Sequence, residues 1–288
     1  MTGNQNFRQD WFIHINDENK RLYVSREKPN PNGDLSPCNM SPDDVDYEMS
    51  KGKNKKALEL CGMEQKSFEY FVEKYGETYE YLSFFKCQLI SDFSPLEKLK
   101  KLEGVSIYWN IRANALWDMS QNPRLEYLNI NAAKKISYNP VVLQKAKHLK
   151  CVEFHGDAFS PYPMKSLEWM RGMSSLEKAK LHLIKLEDRC TDILEDMPSL
   201  RRFDFPAGMF TTEEIAYMCA KYPHIKGNSM CAYNTEDAML NDVRVCGYRK
   251  PGLDLPKGQA RLDKYTEEFD ALVEKYKAEL KNNTESRL

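Results

Sequence analysis

One recurrence constrains this chain more than any other feature. The register L-x-x-L-x-L, apolar at its first, fourth and sixth positions, returns at Tyr79, Leu82 and Phe84, and again at Leu102, Val105 and Ile107. It continues at Leu125, Leu128 and Ile130, then at Leu149, Val152 and Phe154. Leu176, Ala179 and Leu181 follow, then Leu200, Phe203 and Phe205. Weaker units flank the six, with Leu58 and Leu60 in front and Ile225 and Met230 behind. The units start at 55, 79, 102, 125, 149, 176, 200 and 225, so the gaps are 24, 23, 23, 24, 27, 24 and 25 residues. A nearly constant period in this range is the mark of a stacked repeat array.

The period inside each unit changes part-way. In ISDFSPLEKLKKLEGVSIYW, residues 90–109, Leu96, Leu99 and Leu102 have helical spacing, and Leu102, Val105 and Ile107 then tighten towards alternation. Alternate residues of a strand point to opposite faces, so positions four and six enter the core together. Returning to a parallel strand needs a connection of a dozen residues or more. Helical spacing in such connections appears at Pro95–Lys101, Gln65–Tyr75 and Thr211–Lys221, the last with Thr211 or Thr212 as N-cap before Glu213 and Glu214. Strands stack ~4.8 Å apart and helices need ~10 Å. The expected fold is therefore α/β, a solenoid with a curved parallel sheet on its concave side and helices or turns on its convex side.

These residues resemble the leucine-rich repeat family. Tyr79-x-x-Leu82-x-Phe84-x-x-Cys87-x-Leu89 matches the family consensus in full, and Leu102 to Asn110 matches it through the Asn. The segment ISDFSPLEKLKKLEGV resembles the internalin-like type. The resemblance implies that Cys87 and Asn110 turn inward to bond backbone groups between units. It also implies a binding scaffold with no single activity. Ala133, Asp157, Ile184 and Gly208 occupy the later Asn/Cys positions, so irregular turns are expected there, and SPYPMKSLEW in the 27-residue unit is expected to be a longer loop.

A repeat array exposes its core at both ends and needs covering there. Residues 1–54 are read as an N-terminal hairpin and linker. WFIHINDENKRLYVSR, 11–26, alternates as two strands that serve as a cap or a separate recognition module, and 28–54 reads as irregular. The repeats span 55–232, and 233–288 forms a C-terminal cap. There VRVCGY, 243–248, suggests an edge strand. In the helix Gln259–Leu280, Leu262, Tyr265, Phe269, Leu272 and Tyr276 form a heptad-like stripe that either folds over the last repeat or pairs with a second copy, giving a monomer or a weak homodimer.

Composition narrows the function classes. The 42 basic and 43 acidic residues give a net charge of −1, which offers nucleic acid no concentrated positive field. No apolar run reaches the ~20 residues needed to span a bilayer, and the N-terminus lacks an apolar signal core. The expectation is a cytoplasmic protein, with most of its eight cysteines serving as small buried hydrophobes rather than disulfides. No H-E-x-x-H, phosphate-binding loop, G-x-G-x-x-G or G-x-S-x-G motif occurs. Asp43, Asp44 and Asp46 fit no calcium loop and read as a solvated acidic turn. No catalytic residue, metal or cofactor is expected.

Candidate binding residues come from the register. Positions three, five and seven of each strand face away from the core. Position seven runs Phe85, Tyr108, Asn131, His155 and His182, and Trp109 follows Tyr108. Position three offers Tyr81 and Tyr127, and position five offers Glu153. These side chains either pack on one another or form a face for another protein, since Tyr and Trp anchors dominate interfaces. A metal site of Glu153, His155 and His182 is a further reading, short of the usual zinc ligand set. A non-catalytic interaction scaffold is the expected function; an accessory or cryptic enzyme, or self-assembly through the terminal helix, are the alternatives.

Overall fold

A computed structural model describes residues 26–29, 35–38, 40–51, 56–157, 160–236 and 240–285. Its centre is a seven-stranded parallel sheet in which β3 (Ala57–Cys61), β4 (Tyr81–Phe85), β5 (Gly104–Tyr108), β6 (Tyr127–Asn131), β7 (Cys151–His155), β9 (Lys178–His182) and β11 (Arg202–Asp204) lie side by side in that order. This α/β arrangement is consistent with a leucine-rich-repeat-like solenoid. The strand register is the repeat register: Leu82 aligns with Val105, Val105 with Leu128, Leu128 with Val152 and Val152 with Ala179. Each of these side chains is buried, as are their partners two residues on, Phe84, Ile107, Ile130, Phe154 and Leu181.

The connections follow local chemistry. α2 (Gln65–Lys74) opens with a reciprocal cap between Glu64 and Ser67, and it buries Phe68, Phe71 and Val72 at helical spacing. Phe68 meets Phe84 and Phe93 edge-on, tying the helix to the strand core. Several other connections carry 3-10 turns, such as Ser94–Lys98 with Leu96 buried. Two asparagines hold neighbouring units together. Asn110 donates to the carbonyls of Cys87 and Ile90 and accepts from the backbone of Ala113. Asn122 does the same on the opposite side, donating to Leu96 and Leu99 while its Oδ1 accepts from the Trp117 indole at 2.7 Å. Cys87 turns inward as expected, its thiol donating to the Leu60 carbonyl of the preceding unit.

Three expectations need correction. The 27-residue unit does not carry a plain loop: β8 (Tyr162–Met164) pairs in parallel with β10 (Ile184–Leu186), forming a second small sheet away from the main one. Met164, Ile184 and Leu186 are buried there, and Gly156 lies so close to the Leu183 carbonyl that a Cβ would sit 2.0 Å from its oxygen. The eighth unit contributes one bridge, Arg202 to Lys226, and no strand. Side chains replace its ladder: Asn228 Oδ1 accepts from the Phe205 N–H, and Asp204 Oδ1 accepts from the Asn228 N–H. Among the cysteines, Cys190 is exposed rather than buried, though Cys61, Cys87 and Cys246 are buried.

At the N-terminal side, the expected hairpin over 11–26 lies, but for Arg26, outside the described residues. The segment read as irregular contains an antiparallel pair, β1 (Arg26–Pro29) with β2 (Leu35–Cys38), followed by α1 (Pro42–Lys51). The supposed acidic turn is the start of α1. Ser41 and Asp44 cap it reciprocally, and Asp46 accepts from the Tyr70 and Tyr75 hydroxyls and the Lys74 ammonium, each at 2.7 Å. The Lys74 hydrogen bond, with those of Tyr70 and Tyr75, pulls the Asp46 carboxyl down to about 2. Met40 and Val45 are buried beside α2.

At the other side, α3 (Lys134–Tyr138) is a short helix within the repeats, and α4 (Thr212–Lys221) takes Thr211, one of the two expected candidates, as its N-cap, in a capping box with Glu214. The edge strand expected in VRVCGY is β13 (Val243–Val245), the centre of a separate antiparallel sheet with β12 (Tyr233–Asn234) and β14 (Gly252–Leu253). α5 (Gln259–Glu285) packs against α4, with Phe269 buried in the main core and Tyr276 edge-on to Tyr217 at 5.5 Å. Leu262 is buried against Val243, Val245 and Leu253. The heptad-like stripe is thus consumed within the chain.

Candidate functional site

Register places the candidate residues on the open face of the sheet, where they separate into two clusters. Phe85, Tyr108, Asn131, His155 and His182 align across β4 to β9. At the β4–β5 end, Phe85 and Tyr108 stack with centroids 4.9 Å apart and planes at 14°. The Lys86 ammonium lies 5.2 Å from the Phe85 ring and 5.7 Å from the Trp109 ring. Trp109 is 43% exposed and Ile111, two residues on, 53%.

Trp109 also has φ +59°, in the left-handed region. Gly62, Lys86, Ala132 and Leu183 also come directly after a strand, with φ between 51° and 69°. The geometry belongs to the repeat, and glycine accommodates it best. Backbone preference and solvent exposure both disfavour tryptophan at this position.

The β7–β11 end is polar. His155 and His182 lie 5.5 Å apart at 51°. Glu153 is nearly covered; it accepts from Lys178 at 3.0 Å and Asn129 at 3.4 Å, and His155 Nε2 lies 3.2 Å from it. Lys180 is in register between Glu153 and Asp204. Arg202 donates to Asp204 at 2.7 Å, and that bond raises the affinity of its guanidinium for its proton. Acidic and basic residues thus alternate across these strands, with Glu153 and Asp204 each paired to a cation. The expectation of one exposed column fails here. His155 is only 9% exposed and Glu153 4%, because neighbouring side chains at strand spacing cover them.

Tyr81 and Tyr127 belong to neither cluster. They lie at the opposite rim, on either side of Gly104, about 13 Å along the strand from position seven. Their hydroxyls donate to Glu103 at 2.7 Å and Glu126 at 2.9 Å. Burial, and then these bonds, push both phenols well above their ordinary range. Among the described residues no group of three His, Cys, Asp or Glu side chains is arranged to hold a metal. Lys86, Ile111, Lys178 and Arg202 were absent from the expected set, although counting one position past the strand would have found Lys86 beside Trp109.

No family model matches this chain, and no curated protein matches it. Among solved structures it is similar to an internalin (inlF) from Listeria monocytogenes, with 13% identity and a TM-score of 0.39 over 55% of this chain and 43% of that one. The likeness therefore spans less than half of that protein's chain. No helix among the described residues is long and apolar enough to cross a membrane.

Proposed function

We propose that this chain is a non-catalytic, leucine-rich-repeat protein-interaction scaffold, with the repeats at 55–232 closed by caps at 1–54 and 233–288. A protein partner binds the concave sheet face through Phe85, Tyr108 and Trp109. The observation that carries this reading is Trp109, a large aromatic that is exposed and held at positive φ. The positive φ recurs after other strands, so what distinguishes this position is the residue that fills it, an exposed tryptophan in a turn that glycine accommodates best. Stacked Phe85 and Tyr108 offer a rigid surface beside it, suited to anchor a partner. The caps are supported by the Asp46 network on one side and the α4–α5 packing on the other. Self-association through α5 draws no comparable support, since Leu262 and Phe269 are covered by their own chain.

The test is a double substitution, Tyr108→Ala with Trp109→Gly, assayed by circular dichroism and by capture of partners from native lysate. Glycine fits φ +59°, so the fold should survive. Losing interface anchors worth about 2 kcal/mol should weaken capture about thirtyfold. A folded variant that captures every partner the parent captures would refute the reading.

A further inference from the structure

We infer that the partner of this surface is an acidic peptide segment, and that it docks along the rim at the C-terminal ends of β4, β5 and β6. The inference rests on the binding reading above and adds the chemistry of the partner.

The rim is built by the repeat. The Lys86 N–H donates to the Tyr108 carbonyl and the Trp109 N–H to the Asn131 carbonyl, both at 2.9 Å, so successive turns stack in line with the strands. Lys86 and Trp109 follow their strands directly; Ile111 and Arg112, then Lys134 and Lys135, continue the same turns outward. Ile111, Arg112, Lys134 and Lys135 are exposed.

Ion pairs hold several cations elsewhere on the sheet. At the opposite rim cations are matched with carboxylates: Lys56 with Glu80, Arg124 with Glu103, Lys150 with Glu126. On the sheet face Lys178 pairs with Glu153 and Arg202 with Asp204. Lys86, Arg112, Lys134 and Lys135 have no carboxylate within ion-pair distance among the described residues. The Lys86 ammonium lies 5.7 Å from the Trp109 ring, Arg112 follows Ile111 directly, and Lys134 and Lys135 follow the turn after β6. A five-residue strand separates the rims by about 16 Å, twice the ~8 Å screening length of physiological salt, so the carboxylates of the far rim, already paired with cations, do not cancel this one.

The complement of such a rim is a short chain carrying carboxylates around an aromatic or aliphatic side chain. The cations steer and orient it, and the apolar contact holds it. A long polyanion such as single-stranded nucleic acid fits less well. Its charge would extend past the four cations, and the whole chain carries a net charge of −1.

The test pans a random short-peptide display library on the full chain at physiological salt, then measures a synthesised winner by fluorescence anisotropy. Winners should be rich in Asp and Glu around one apolar residue. The surface variant Arg112→Glu/Lys134→Glu/Lys135→Glu should keep its circular dichroism spectrum and bind the winner about tenfold more weakly or worse. Added salt should weaken the parent's binding in the same direction. Neutral or basic winners, no winners, an unchanged affinity in the variant, or displacement of the peptide by an oligothymidylate of equal charge would each overturn the inference. Loss of lysate capture by the Tyr108→Ala/Trp109→Gly protein alongside full capture by the charge-reversed one would leave the binding surface standing and remove the acidic partner.

Discussion

The two ends of the open sheet face share one backbone plan and use it differently. From β7 to β11 the outward charges are satisfied by one another: Glu153 by Lys178 and Asn129, Asp204 by Arg202 and the Asn228 N–H. From β4 to β5 the outward residues are aromatic, and Trp109 stands exposed in a turn that favours glycine. A covered carboxylate needs partners or it destabilises the fold, whereas an exposed indole needs none. The contrast teaches that facing outward does not by itself make a residue available. One end of the face contributes to holding the sheet together and the other leaves Trp109 exposed to solvent.

The largest effect should come from the layer beneath both ends. Leu128 is 2% exposed and has core neighbours on either side in register. Leu128→Asp should cost more than ~4 kcal/mol and yield insoluble or unfolded protein, abolishing the contrast altogether. A soluble variant with an unchanged melting temperature would show that the strand register is wrong.

A smaller loss should separate the two ends. Glu153→Ala removes the acceptor of Lys178, which is itself a quarter exposed and can turn towards water. The expected cost is about 2–3 kcal/mol in chemical denaturation, below the range for a fully buried pair. Trp109→Gly should leave stability unchanged or raise it slightly. If the two substitutions destabilise equally, the division into a structural end and an accessible end fails.

The flanks extend the contrast to pH. α1 is held to α2 by a titratable group, while α5 is held to α4 by apolar contacts. The Asp46 carboxyl sits at about 2, below its ordinary 3.8. A lowered carboxyl contributes stability above its unfolded value and loses it as pH falls through the folded one. Docking of α1 should therefore weaken between about pH 4 and pH 2, with α5 unaffected by this group. Hydrogen exchange across that window should show α1 opening first, and Asp46→Asn should remove the dependence. Equal opening of both helices would count against it.

The sequence was most legible where one side chain has one task. Leucine and its equivalents at positions one, four and six set strand register without exception from β4 to β11, because alternation leaves them a single buried face. The helices at Gln65–Lys74 and Thr212–Lys221 were legible because their caps and apolar spacing are local. What escaped depended on distance in sequence. The pairing of β8 with β10 joins segments twenty-two residues apart, and α1 is fixed by Asp46 reaching residues 24 to 29 positions away. The site was half legible. Register gave the side of the sheet, but burial of His155 and Glu153 follows from cross-strand neighbours such as Lys178, which a single strand does not reveal.

Ile107 and Tyr108 test the central claim most directly, since they are consecutive residues of β5 that face opposite sides of the sheet. Ile107 is 1% exposed; Tyr108 stacks on Phe85 at the open face. The measurement is the unfolding free energy and the partner affinity of Ile107→Ala and Tyr108→Ala, side by side. Ile107→Ala should lose about 2–5 kcal/mol of stability and, while folded, keep its affinity. Tyr108→Ala should lose about 1 kcal/mol or less of stability and most of its affinity. If Tyr108→Ala unfolds the protein as readily as Ile107→Ala, or binds its partner as the parent does, the division of labour across the strand is contradicted.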